Sequence, residues 1–81
     1  MRTRYEDGHA PPSASVLRQQ IADDIKANRK SLHMTQQELA DAAGTQKSNI
    51  SRVESGKYNP TLDFLVKVAG SMGKSIEVKL Q

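Results

Sequence analysis

Between Met34 and Lys57 the chain reads MTQQELADAAGTQKSNISRVESGK, and no other stretch constrains the fold as strongly. Thr35 followed three residues later by Glu38 is a capping box. The threonine hydroxyl accepts from the amide of the third helical residue, and the glutamate reaches back to the threonine amide. Leu39, Ala40 and Ala43 recur at helical spacing, and Gly44 stands where a left-handed residue closes a helix. A short helix over about Gln36–Ala43 is therefore predicted. Thr45 restarts the chain at once, as the cap of a second helix that runs through Ser55 and stops at Gly56. In that helix Ile50 and Val53, three residues apart, are the clearly apolar positions. The small Ala40 lets the two helices cross closely, and Leu39, Ile50 and Val53 anchor the pair to a core. Two short helices joined by a tight glycine turn form a helix-turn-helix, whose second helix is shaped to enter a DNA major groove.

The flanking segments supply the core. Leu17, Ile21 and Ile25 fall at i, i+4 and i+8 with Ala22 beside them, which predicts a helix capped by Ser15, running to Lys30 or Ser31, with Leu32 closing the stripe. After the Asn59-Pro60 turn, Thr61 caps a further helix with Asp63 in its first turn, where the helix dipole favours an anion. Leu62, Leu65, Val66, Ala69 and Met72 form its predicted core stripe, and Gly73 stops it. Met34 and Met72 fill gaps in the core. In KSIEVKLQ the period changes from 3.6 to 2: Ile76, Val78 and Leu80 point one way, Glu77, Lys79 and Gln81 the other. This is a strand signal, and a lone strand needs a partner for its backbone. Residues 1–14, with Gly8, Pro11 and Pro12 and no apolar period, read as a mobile tail. The predicted organisation is a tail at 1–14, a helical domain at 15–73 and a strand at 74–81.

Composition limits the chemistry. Eighty-one residues make one domain, and a domain this small buries only about 60–65% of its unfolded surface, so association helps it. Without cysteine there is no disulfide framework and no thiolate metal site. His9 and His33 stand alone, so neither a metal nor another cofactor is expected. Asp23 and Asp24 fall on different helix faces, and there is no nucleophile–base pair or phosphate loop, which argues against an enzyme. No run approaches the ~18 apolar residues of a membrane span, and the N-terminus lacks the apolar core of a signal peptide. The expectation is a soluble, cytoplasmic protein with no membrane partner. The net charge of +3 comes from 12 basic and 9 acidic residues. From Thr45 to Pro60, Lys47, Arg52 and Lys57 face Glu54 alone, whereas Asp23, Asp24, Glu38 and Asp41 gather elsewhere.

The longer stretch MTQQELADAAGTQKSNISRVESGKYNPTLDFLVKVAGSMG resembles the Cro/phage-repressor (Xre-type) family of helix-turn-helix DNA-binding domains, over about Leu17–Gly73. The resemblance implies an all-α, four-to-five-helix lambda-repressor-like fold. It implies base contacts from Gln46, Lys47, Ser48 and Arg52. The chemistry suits them, because Arg52 or Lys47 can meet guanine O6 and N7, and Gln46 can pair with adenine N6 and N7. It implies phosphate contacts at Thr35 and Gln36, through backbone amides at a positive helix end, and at Asn49, Ser55, Lys57 and Tyr58, which fix register without reading sequence. By the same resemblance Arg29 and Glu54 form a structural ion pair rather than a DNA contact.

The C-terminal stretch LDFLVKVAGSMGKSIEVKL resembles the ends of HipB/HigA-like antitoxin regulators. This implies a short strand through Ile76, Val78 and Leu80 that pairs across a homodimer. Two recognition helices would then lie about 34 Å apart on a palindromic double-stranded operator. The function implied is a dimeric repressor. The alternative is an antitoxin that neutralises a protein toxin and regulates its own operon, with the tail as a segment that folds on the toxin.

Overall fold

The computed structural model describes residues 13–80. The readings placed on residues 1–12 and on Gln81, namely most of the tail, His9 and the strand's last residue, lie outside them. Four helices follow in order: α1 Ala14–Ser31, α2 Gln36–Ala43, α3 Lys47–Glu54 and α4 Leu62–Ser71. Among the described residues no helix is long and apolar enough to cross a membrane.

Local chemistry sets most of the boundaries. Ser13, rather than Ser15, caps α1; its hydroxyl accepts from the Val16 amide and hydrogen-bonds the Ser15 hydroxyl at 2.9 Å. Two serines at this spacing offer two caps, and the earlier one wins by adding two residues to the helix. At the other end the Met34 amide donates to the Arg29 carbonyl and the His33 amide to that of Lys30. His33 itself is left-handed, with φ 58°. This pair of bonds is the closure that glycine usually makes. Here it is made by a histidine, a residue type more tolerant of that region than most.

The capping box of α2 forms as spelled. The Glu38 amide donates to the Thr35 hydroxyl at 3.0 Å, and the Thr35 amide donates to the Glu38 carboxylate at 2.8 Å. Gly44, at φ 67°, closes the helix, and the Thr45 amide donates to the Ala40 carbonyl at 2.9 Å. The cap of α3 is Gln46, one residue later than read, and its side chain makes no capping bond. Thr45 is spent on the turn instead, its hydroxyl accepting from the Asn49 side chain at 2.9 Å. Thr61 caps α4 as expected.

The core is built around Leu39, Ile50 and Val68, all fully buried, with Ile25, Ala40, Ala43, Val53, Leu65 and Met72 around them. Helix α2 packs against both α3 and α4, and α1 packs against α3. Two stripes are corrected by the structure. In the first stripe Ala22 and Ile25 are buried, but Leu17 near the start of α1 and Leu32, its C-cap, are exposed. On α4 the inward residues are Leu65, Val68, Ala69 and Met72, while Leu62 and Val66 face outward. Leu62-Asp63-Phe64-Leu65-Val66-Lys67-Val68 is apolar almost all round, so two phasings satisfy the helical period and packing against α2 selects between them.

The predicted C-terminal strand is absent among the described residues. Residues 74–80 carry no regular secondary structure. Ile76 packs half-buried on the core, while Val78 and Leu80 are exposed, Leu80 at 98%. Alternation expresses which side chains share a face, but a ladder needs a second strand, and the described residues offer none.

Candidate nucleic-acid interface

Helix α3 is divided lengthwise. Ile50, Val53 and Glu54 are buried. Lys47, Ser48, Ser51, Arg52 and the capping Ser55 are exposed, on one continuous arc at the helical period, with Gln46 exposed at its start. The face is cationic for a specific reason: the acid of α3, Glu54, points inward and is neutralised there.

The neutralising partner is Arg29 of α1. Its Nε donates to Glu54 Oε2 at 2.7 Å and its Nη2 to Oε1 at 3.0 Å, a two-pronged pairing. Arg29 Nη1 donates to the Met34 carbonyl at 2.8 Å, and the Gln36 side chain donates to Glu54 Oε1 at 3.1 Å. Burial pushes the Glu54 carboxyl up. The hydrogen bonds from Arg29 and Gln36, with the charges of Arg29 and Lys26, outweigh it and hold the group below its ordinary value. One buried carboxylate thus joins the end of α1, the turn after it, the first residue of α2 and the last of α3. Those are the parts whose relative placement aims α3. Nothing in the sequence marked Gln36 as a third partner, because the contact spans 18 residues and depends on how α2 meets α3.

The residues assigned to phosphates divide into two groups. The capping box engages the Thr35 amide and the Glu38 amide, which leaves the amides of Gln36 and Gln37 as the first-turn donors without an intrahelical acceptor. Gln37 was missed in the sequence reading, although counting amides along the capping box points to it. The Asn49 side chain is half-buried and tied to Thr45. The Ser55 hydroxyl donates to the Arg52 carbonyl at 2.6 Å and accepts from the Lys57 amide at 3.2 Å, so it shapes the end of α3. The Lys57 and Tyr58 side chains are exposed just beyond it. Ser51 was also missed; it lies four residues from Lys47 and three from Ser48, and a helical projection alone puts it on the arc.

Residues 25–79 match the model of a helix-turn-helix family, HTH_3. The chain belongs to that family. This helix-turn-helix protein is 40% identical over 53 residues to the immunity repressor protein of Bacillus phage phi105, a match that covers 65% of this chain and 37% of the repressor. In solved structures it resembles an HTH_3 family transcriptional regulator from Vibrio cholerae, with TM-score 0.74 and 28% identity over 78% of this chain and 35% of that one. It also resembles a toxin–antitoxin module from Streptococcus pneumoniae, with TM-score 0.66 and 25% identity over 100% of this chain and 97% of that one. The helix-turn-helix chain thus spans little more than a third of the phage repressor and of the Vibrio regulator. The family is one of DNA-binding transcriptional regulators and not of enzymes.

Proposed function

We propose that this helix-turn-helix protein binds a palindromic DNA operator as a homodimer and represses transcription from the cytoplasm by occupying it. The observation that carries this reading is the outer arc of α3: Lys47, Ser48, Ser51 and Arg52 are exposed together while Glu54, the acid of the same helix, is buried against Arg29. With α3 in the major groove, Arg52 and Lys47 meet guanine edges and Gln46 meets adenine, while Ser48 discriminates less. The first-turn amides of α2, with Lys57 and Tyr58, hold phosphates on either side. Thr35, Asn49 and Ser55 act at the same places by shaping the backbone that makes those contacts. Selection of bound sequences from random DNA tests the reading. Enrichment of a two-fold symmetric site with half-sites about one turn, ~34 Å, apart is expected, and absence of any enriched sequence would sink it.

A second reading, an antitoxin that binds a protein toxin, draws on the streptococcal module, which matches this chain over its whole length. Purification from the native source decides it. A second, small protein in fixed proportion to this one supports it, and a homo-oligomer free of other chains counts against it.

A further inference from the structure

Helix α1 reaches the end of α3 at a second point besides the Arg29–Glu54 pair. Gly56, which follows α3 at φ 75°, lies under the side chain of Gln19. A Cβ added to Gly56 would overlap the Gln19 carboxamide, whose Cδ would stand 2.8 Å from it. The space that a side chain at position 56 would take is thus already filled from α1. The carboxamide is held in that orientation. Its Nε2 donates to Asp23 Oδ1 at 2.9 Å, one turn further along α1. A carboxylate only accepts, so this bond fixes which end of the amide meets Asp23 and turns Oε1 towards Gly56. On either side of the glycine the chain is tied to α3 itself. The Gly56 amide donates to the Val53 carbonyl at 3.2 Å, and the Lys57 amide to the Ser55 hydroxyl at 3.2 Å. The next side chains, Lys57 and Tyr58, are exposed. Gln19 is exposed as well, so burial of apolar surface does not account for where it lies.

We propose that Gln19 is a positioning residue for DNA binding: latched by Asp23, it braces the left-handed turn at Gly56 and so holds Lys57 ready for a phosphate. The inference rests on the operator reading, in which Lys57 makes that contact. Glycine serves twice here, since it takes the left-handed backbone and admits the amide against its Cα. Lys57 follows directly, so the direction in which its side chain leaves α3 is set by this turn. A lysine whose backbone is already placed loses less freedom when it meets an anion, and that saved ordering is what the brace contributes. Arg29 holds Glu54 and Gln19 holds Gly56, so α1 fixes the end of α3 on both sides of Ser55.

Affinity of the full chain for its selected operator tests this. Gln19→Ala should weaken binding about two- to tenfold, evenly across sequences, which is the cost of ordering one long side chain. Its melting temperature should stay within about a degree or two of the parent's. In a Lys57→Ala background the same substitution should cost little more, because Gln19 acts through Lys57. A direct contact of Gln19 with DNA, or a general loosening of the fold, would add in full instead. Asp23→Asn and Asp23→Ala remove the same charge, but only asparagine keeps an acceptor for Gln19. Asp23→Ala should therefore bind more weakly than Asp23→Asn. Without DNA, Gln19→Ala should shift the amide resonances of Gly56, Lys57 and Tyr58 and speed their hydrogen exchange. The proposal is overturned if Gln19→Ala binds as the parent does, if its loss adds in full to that of Lys57→Ala, if Asp23→Asn binds as weakly as Asp23→Ala, or if those resonances do not move. If the parent selects no DNA sequence, the operator reading fails, and the resonances alone decide whether Gln19 braces the turn.

Discussion

At the scale of the residue, the buried Arg29–Glu54 pair has the largest energetic leverage. Taking two charges out of water is costly, and mutual attraction together with the Gln36 and Met34 bonds offsets that cost. Arg29→Met should therefore destabilise the fold by about 3–5 kcal/mol in chemical denaturation, because it strands a buried carboxylate. Adding Glu54→Leu to Arg29→Met should recover much of the loss. The same pair sets an acid limit. Glu54 is held below its ordinary value near 4.5, so the folded state binds its proton less readily than the unfolded chain does. The stabilisation is then complete above that ordinary value and is lost as pH falls through the lowered one. Acid titration of unfolding should show stability dropping below about pH 4.5 in the parent, with a shallower drop in Glu54→Gln. Arg52 is exposed, and under the proposed operator reading it contributes to DNA binding and not to folding. Arg52→Ala should leave the melting temperature within about a degree or two, cost about 1–3 kcal/mol of binding and relax preference at one base pair per half-site. Unchanged selectivity in a binding-site selection would remove its assigned role.

At the scale of the element, α2 shows how a few polar atoms define a helix of eight residues, a length marginal in isolation. The capping box starts it and Gly44 ends it. Loss of the cap in Thr35→Ala should cost about 1 kcal/mol of stability in thermal or chemical unfolding. It should also weaken DNA binding evenly across sequences, since the first turn of α2 positions the Gln36 and Gln37 amides. A loss confined to one operator sequence would contradict that role. The capping box and the two closing glycines of α2 and α3 were legible because each is a local rule, satisfied within a few residues of itself. The end of α1 was less so. His33 takes the left-handed conformation without being glycine, and only the fold around it requires the chain to reverse there.

At the scale of the whole molecule, the charge distribution decides more than the net charge of +3. Lys47, Arg52 and Lys57 are exposed on or beside α3, and the neighbouring acid is buried. If a dimer neutralises roughly 6–8 phosphates, log K should fall with log salt at a slope of about −5 to −7. Titration of binding between low and physiological salt measures this directly, and a slope near zero would remove phosphate contact as a major term. The exposed Leu62, Val66, Val78 and Leu80 belong to this scale too. They are apolar surface that the described residues leave uncovered.

The amino-acid order by itself determined the four helices of the described residues, where α2 and α4 begin, and that α2 and α3 form a helix-turn-helix with Leu39, Ile50 and Val53 inward. Those features follow from hydrogen bonds and periodicities that close within one or two turns of chain. The tertiary structure decided which side of α4 is buried, exchanging Val66 for Val68, and added Gln36 to the Arg29–Glu54 pair. It also left Ile76, Val78 and Leu80 without a strand. Each of these outcomes depends on a second surface arriving from elsewhere in the chain, or on none arriving. Periodicity can say which residues share a face, but only packing supplies what the face is pressed against.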